Sequence, residues 1–161
     1  MSDAIAGGCQ CGMVRYRVEG ALSNAHICHC RMCQKAAGNY FLPLANVDKG
    51  AFRVTRGEIA WFHSSDPVRR GFCRDCGTPL VFEEILARHL NVTLGSLDAP
   101  AAVAPRLQVG IEGRLPWFGA LPALPAETSE DGMSREELGA IRASNRQHPD
   151  HETEAWPPRR P

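Results

Sequence analysis

The stretch GGCQCGMVRYRVE, residues 7–19, joins the two features that decide the fold. Its first half places Cys9 and Cys11 between glycines. Its second half alternates, with Val14, Tyr16 and Val18 on one side and Arg15, Arg17 and Glu19 on the other. That alternation predicts a half-buried β-strand with its arginines toward water. A cysteine pair at the mouth of a strand is a metal-knuckle pattern rather than a core pattern.

Working outward, two more clusters follow: Cys28, Cys30 and Cys33 in CHCRMC, and Cys73 and Cys76 in FCRDCG. Seven cysteines in all is an odd number, so complete disulfide pairing is excluded. Their spacings suit metal ligation, and the count divides into four and three. Four thiolates close a tetrahedral zinc site, whereas three leave a coordination position free for chemistry. The expectation is one metal that holds the fold and one that works.

Cys73 and Cys76 on a tight turn ending in Gly77 form one knuckle. Cys9 and Cys11 are the natural partners, clipping the first strand to a later hairpin across about 65 residues. Cys28, Cys30 and Cys33 then converge only if the chain curls out of regular strand geometry after Cys28. Two alternatives stay open on spacing alone. A histidine, His26 or His63, closes the middle cluster, with His29 pointing away; or Cys30, Cys33, Cys73 and Cys76 pair as a ribbon.

Further β-leaning runs lie at residues 41–44, 52–55, 59–63, 80–82, 90–94 and 107–111, punctuated by glycine and Asp66-Pro67, which reads as an all-β domain. Residues 32–37 predict a short helical turn ended by Gly38. Beyond Pro125 the chain becomes polar. The expected division is a zinc-binding β domain over residues 1–125 and a polar tail over 126–161. In the tail, Ser134 and Glu137 form a capping box with a thin stripe at Leu138 and Ile141, followed by a disordered end.

The 161 residues carry 18 basic and 18 acidic side chains, for a net charge of zero. That balance gives no basic footprint for nucleic acid and no attraction to an anionic membrane. The start, MSDAIAGGCQ, lacks the pattern of a secretory signal, and no apolar run reaches the length of a membrane helix. A cytoplasmic protein with reduced thiols is the expectation.

At the residues quoted above, together with FHSS, RRGFCRDCGTPL, VTLGSLD and LPWF, the chain resembles the glutathione-dependent formaldehyde-activating enzyme family, which includes centromere protein V-like proteins. The resemblance implies a zinc-stabilised β-tent of short antiparallel sheets. It implies a structural zinc on Cys9, Cys11, Cys73 and Cys76 and a catalytic zinc on Cys28, Cys30 and Cys33, two zinc ions per chain. It also implies a carbon–sulfur lyase whose partners are a small thiol and a small aldehyde, glutathione and formaldehyde in the namesake. Arg31, Lys35, Arg70 and Arg74 are candidates to hold substrate carboxylates, and His63 is a candidate acid–base group. The alternative is a non-catalytic zinc-stabilised module that binds a thiol metabolite or a protein partner.

Overall fold

A computed structural model describes residues 5–156. The MSDA start and the PPRRP end lie outside the described residues. Among the described residues, ten strands form two sheets. The smaller has the order β1 (Ile5–Gly8), β2 (Arg15–Val18), β5 (Phe52–Arg56). The larger runs β10 (Leu107–Val109), β3 (Ser23–Cys28), β4 (Leu42–Asp48), β9 (His89–Thr93), β8 (Pro79–Glu84), β7 (Val68–Phe72), β6 (Ala60–Ser65). Neighbouring strands are antiparallel except for one pair: β10 runs parallel to β3, with Val109 opposite Cys28. The mostly-β expectation holds, and this parallel strand is an addition to it. A parallel partner needs a long crossover, and the chain from β3 to β10 contains most of the domain.

The main core lies between the sheets. Tyr16 and Val18 of β2 meet Val47, Leu80, Leu90 and Val92 of the larger sheet. Tyr16 is fully buried, and its hydroxyl shares a 2.7 Å hydrogen bond with Ser96, which satisfies the one polar atom it carries inside. The alternation in residues 13–19 is therefore correct for its apolar half.

Its polar half needs one correction. Arg15, expected toward water, is only 2% exposed. Its guanidinium forms a two-pronged ion pair with Asp98 at 2.7 and 2.5 Å and reaches Glu152 at 3.2 Å. A buried arginine is tolerable when its fork is met by carboxylates.

After β3 the chain turns directly into α1 (Arg31–Ala37). Two short helices, α2 (Ser129–Gly132) and α3 (Arg135–Ser144), carry the polar region, and Ser134 and Glu137 close the capping box at the start of α3 as expected. Between α3 and Trp156 the expected disorder is not seen, while the last five residues of that expected disordered end lie outside the described residues. His148 is buried, and its backbone N–H donates to the Gln10 carbonyl at 2.7 Å. The Trp156 indole N–H donates to the Cys11 carbonyl at 2.6 Å. Arg56 donates to the Thr153 carbonyl and, at 3.1 Å, to its hydroxyl. Residues 148–156 thus form a strap across the first cysteine turn. Its affinity for the domain comes from a few aromatic and ionic contacts that overall polarity conceals.

Candidate metal centres

The chain brings Cys9 and Cys11 to one turn and Cys73 and Cys76 to another. In the first, the Gly12 N–H returns to the Cys9 carbonyl at 3.0 Å, and Cys9 N–H pairs with Val14 at 2.9 Å. In the second, the Gly77 N–H returns to the Cys73 carbonyl at 2.9 Å, and Cys73 N–H pairs with Thr78 at 3.0 Å. Gly12 and Gly77 both sit at positive φ, +72° and +76°, the left-handed conformation that ends such turns and that glycine adopts without steric cost. The two turns are matched in construction and face one another.

All four sulfurs lie within 4.8 Å of one another. Cys9 and Cys11 Sγ are 3.6 Å apart, and Cys11 and Cys73 Sγ are 3.8 Å apart. Two sulfurs about 2.3 Å from a single tetrahedral zinc would stand about 3.8 Å apart. The donor set fits that ion in both type and spacing. Charge on the sulfurs is met by uncharged donors: the Val14 N–H points at Cys9 Sγ at 3.2 Å, and the Thr78 hydroxyl lies 3.2 Å from Cys76 Sγ. Burial pushes the Cys9 thiol up. At Cys76 burial pushes the same way, but the Thr78 hydroxyl and the backbone N–H groups of Thr78 and Cys11 outweigh it and bring the thiol to about 6.

Cys28, Cys30 and Cys33 make the second group, with their sulfurs likewise within 4.8 Å of one another. The curl they require is the junction of β3 and α1. Cys28 ends the strand, Cys30 is the N-cap residue, and its Sγ accepts from the Cys33 N–H at 3.4 Å. Gln34 stabilises this turn from beneath, donating its amide to the His29 and Gly113 carbonyls, both at 2.8 Å. The neighbouring Cys28 thiol, with the Arg70 guanidinium, holds Cys33 down to about 5 against burial. The neighbouring Cys33 sulfur and burial push Cys28 up.

No histidine among the described residues joins either group. His26 bonds the Asn24 carbonyl, and His63 is exposed on β6. His29 does point away. Its ring is buried between Phe41 and Phe118, with Nε2 2.9 Å from Gln108 Oε1. Both alternatives left open by spacing therefore lack geometric support: neither histidine closes the middle group, and Cys30 and Cys33 are not gathered with Cys73 and Cys76.

The basic candidates separate sharply. Arg31, Lys35 and Arg74 are exposed, whereas Arg70 is 7% exposed and donates Nη2 to Cys33 Sγ at 3.5 Å. Arg15 and the strap over Cys11 were not foreseen as neighbours of the first group. The only sequence signal for the strap is a tryptophan, Trp156, in otherwise polar surroundings.

A two-sheet β fold with one four-thiol and one three-thiol group defines a class: small β proteins built around clustered cysteines suited to metal. The family follows from comparison. A model of the glutathione-dependent formaldehyde-activating enzyme family matches residues 4–112, and the chain belongs to that family. No curated protein matches the chain. Among solved structures, the crystal structure of a Rhodobacter sphaeroides protein is similar with a TM-score of 0.54 and 21% identity, covering 65% of this chain and 99% of that one. At that identity the likeness bears on the fold. Residues 113–161, including the strap, lie beyond the family match. No helix among the described residues is long and apolar enough to cross a membrane.

Proposed function

We propose that this protein is a cytoplasmic, zinc-dependent enzyme of the carbon–sulfur lyase type, joining a small thiol such as glutathione to a small aldehyde such as formaldehyde. The carrying observation is the three-sulfur group itself: Cys28, Cys30 and Cys33 converge with no fourth protein donor among the described residues. In this reading those residues hold a catalytic zinc, and Cys9, Cys11, Cys73 and Cys76 hold a structural one. Residues 1–125 form the zinc-binding domain and 126–161 an appended segment.

A zinc ion bound at the three-cysteine group supplies the means to hold an incoming thiol in its deprotonated, nucleophilic form at neutral pH. The chain's own residues do the rest. Cys28, Cys30 and Cys33 would hold such an ion with three thiolates, one fewer than a closed zinc site uses, which would leave room for a substrate thiol. The backbone between them is held by Gln34 from below and by the buried His29 ring, so the three sulfurs keep their spacing without a fourth. The reaction balances without an oxidant. The sulfur–carbon bond forms, the carbonyl π pair moves onto oxygen, and that oxygen takes up the proton the thiol released.

Two zinc ions per purified chain are expected by elemental analysis. With cobalt in place of zinc, glutathione should add a sulfur charge-transfer band, and formaldehyde should then be consumed with formation of S-hydroxymethylglutathione, followed by NMR. One zinc per chain after full reconstitution, or cobalt spectra indifferent to every small thiol, would return the protein to the reading of a zinc-stabilised binding module.

A further inference from the structure

Two arginines are buried among the described residues, and they are partnered differently. Arg15 has carboxylates, Asp98 and Glu152, on its fork. Arg70, on β7, has none among the described residues. Its Nε donates to the Ser64 hydroxyl at 3.3 Å, its Nη2 to Cys33 Sγ at 3.5 Å, and its guanidinium carbon lies 5.0 Å from the centre of the Phe82 ring. Ser64 and Phe82 are neutral. A guanidinium cannot shed its proton in a protein, and burying an unpaired cation costs far more than one neutral hydrogen bond and a ring face return. The anion that balances Arg70 must be the sulfur group.

Charge counting gives this pairing a purpose. Three thiolates around a divalent ion leave a net charge of −1, and a fourth, incoming thiolate makes it −2. In the four-cysteine group that charge is met by backbone N–H groups and a hydroxyl, and the site is complete. In the three-cysteine group a full positive charge is built in beside one sulfur. The cation lowers the cost of adding a second net negative charge and so favours a thiolate over neutral water in the free position.

We propose that Arg70 is the positioning residue of the three-cysteine site: acting through Cys33, it supplies the positive charge that lets the site accept an anionic thiol as its fourth ligand. This rests on the reading of that group as a metal-held thiol site. It also sets Arg70 apart from Arg31, Lys35 and Arg74 as candidates for gripping a substrate carboxylate, because two of its donors, Nε and Nη2, are turned to Ser64 and Cys33.

The test uses full-length, cobalt-substituted protein with Arg70→Gln and Arg70→Lys. Two thiols are titrated, glutathione, which carries carboxylates, and 2-mercaptoethanol, which carries none. Arg70→Gln is expected to retain both metals and to weaken both thiols by the same factor, tenfold or more, with Arg70→Lys recovering most of it. Independently of any added thiol, loss of the hydrogen bond to Cys33 should raise the sulfur donor level and move the cysteine-to-cobalt charge-transfer band of Arg70→Gln to longer wavelength. Weakening confined to glutathione would assign Arg70 to a carboxylate and overturn the proposal. Unchanged affinities with an unchanged band would overturn it as well. Should the wild-type protein bind no thiol, the function proposed above fails, and the band shift alone decides whether Arg70 balances the site. If Arg70→Gln does not fold, Arg70→Met, uncharged and of similar reach, carries the same two titrations and the same band measurement, with the same outcomes deciding.

Discussion

The two cysteine groups solve the same problem, concentrating negative charge inside a small β protein, in opposite ways. The four-cysteine group is long-range. Its turns are separated by more than sixty positions in the chain, its sulfurs are met by neutral donors, and the C-terminal strap lies across it. The three-cysteine group is local. All its sulfurs come from one strand-to-helix junction, and a buried cation stands beside it. A group that ties distant segments contributes to folding whatever its chemistry. A group that ties six consecutive residues contributes little to folding, and its arrangement needs another explanation. On the proposed function, this contrast, more than the cysteine count, is what would separate a holding site from a working one.

The sharpest way to break the comparison is Cys73→Ser. Cys73 is fully buried and its sulfur sits 3.8 Å from that of Cys11. Zinc binding at structural sites is worth about 10–16 kcal/mol in small zinc modules, as large as the whole stability of a typical domain. The variant should show no cooperative thermal transition by circular dichroism. A native-like melt with one metal retained would put the holding role elsewhere.

Gly12→Ala should come next. An alanine there adopts the left-handed conformation at a cost, and its Cβ would overlap the Trp156 indole and the His148 ring. The strap must move, so a loss of about 2–4 kcal/mol is expected from denaturant unfolding. Trp156→Ala isolates the strap without straining the turn. It removes the indole donor to Cys11 and the edge-on packing against His148, whose ring centre is 5.0 Å away. A loss of about 1–3 kcal/mol is expected. A chelator should then strip the four-cysteine metal faster while the three-cysteine metal leaves at its wild-type rate. Acceleration at the three-cysteine site instead would mean that the strap guards the wrong group for this comparison to stand.

Much of this was legible before the fold was known, and the rest was hidden for identifiable reasons. The cysteine clusters, the strand at residues 13–19 and the capping box at Ser134 are local patterns, fixed by spacing and chemistry within a few residues. Arg15 was misassigned to solvent because its partner Asp98 is 83 positions away, and alternation alone cannot see a carboxylate arriving from the loop after β9. Arg70 could not be told from Arg31, Lys35 and Arg74, since all four neighbour cysteines in sequence and only the pairing of β7 with β8 turns one of them inward. The strap was concealed by composition, because it is anchored by single side chains, Trp156, His148 and Thr153, rather than by a hydrophobic stripe.

The smallest expected effect on stability belongs to Cys30→Ser, and that smallness is its value. Cys30 caps α1, accepting the Cys33 N–H through sulfur, and serine is among the best residues at that position. The helix should therefore keep its cap while the group loses a thiolate. Stability should fall by about 1 kcal/mol or less, with the melt still cooperative. Metal content should drop from two to one, and the cobalt band that responds to added thiol should disappear. Cys73→Ser and Cys30→Ser each remove one sulfur, so both sites would be structural if the two variants lost comparable stability. If instead one variant unfolds and the other stays folded with its thiol response gone, the difference between the groups is one of role, carried by where in the chain the sulfurs come from.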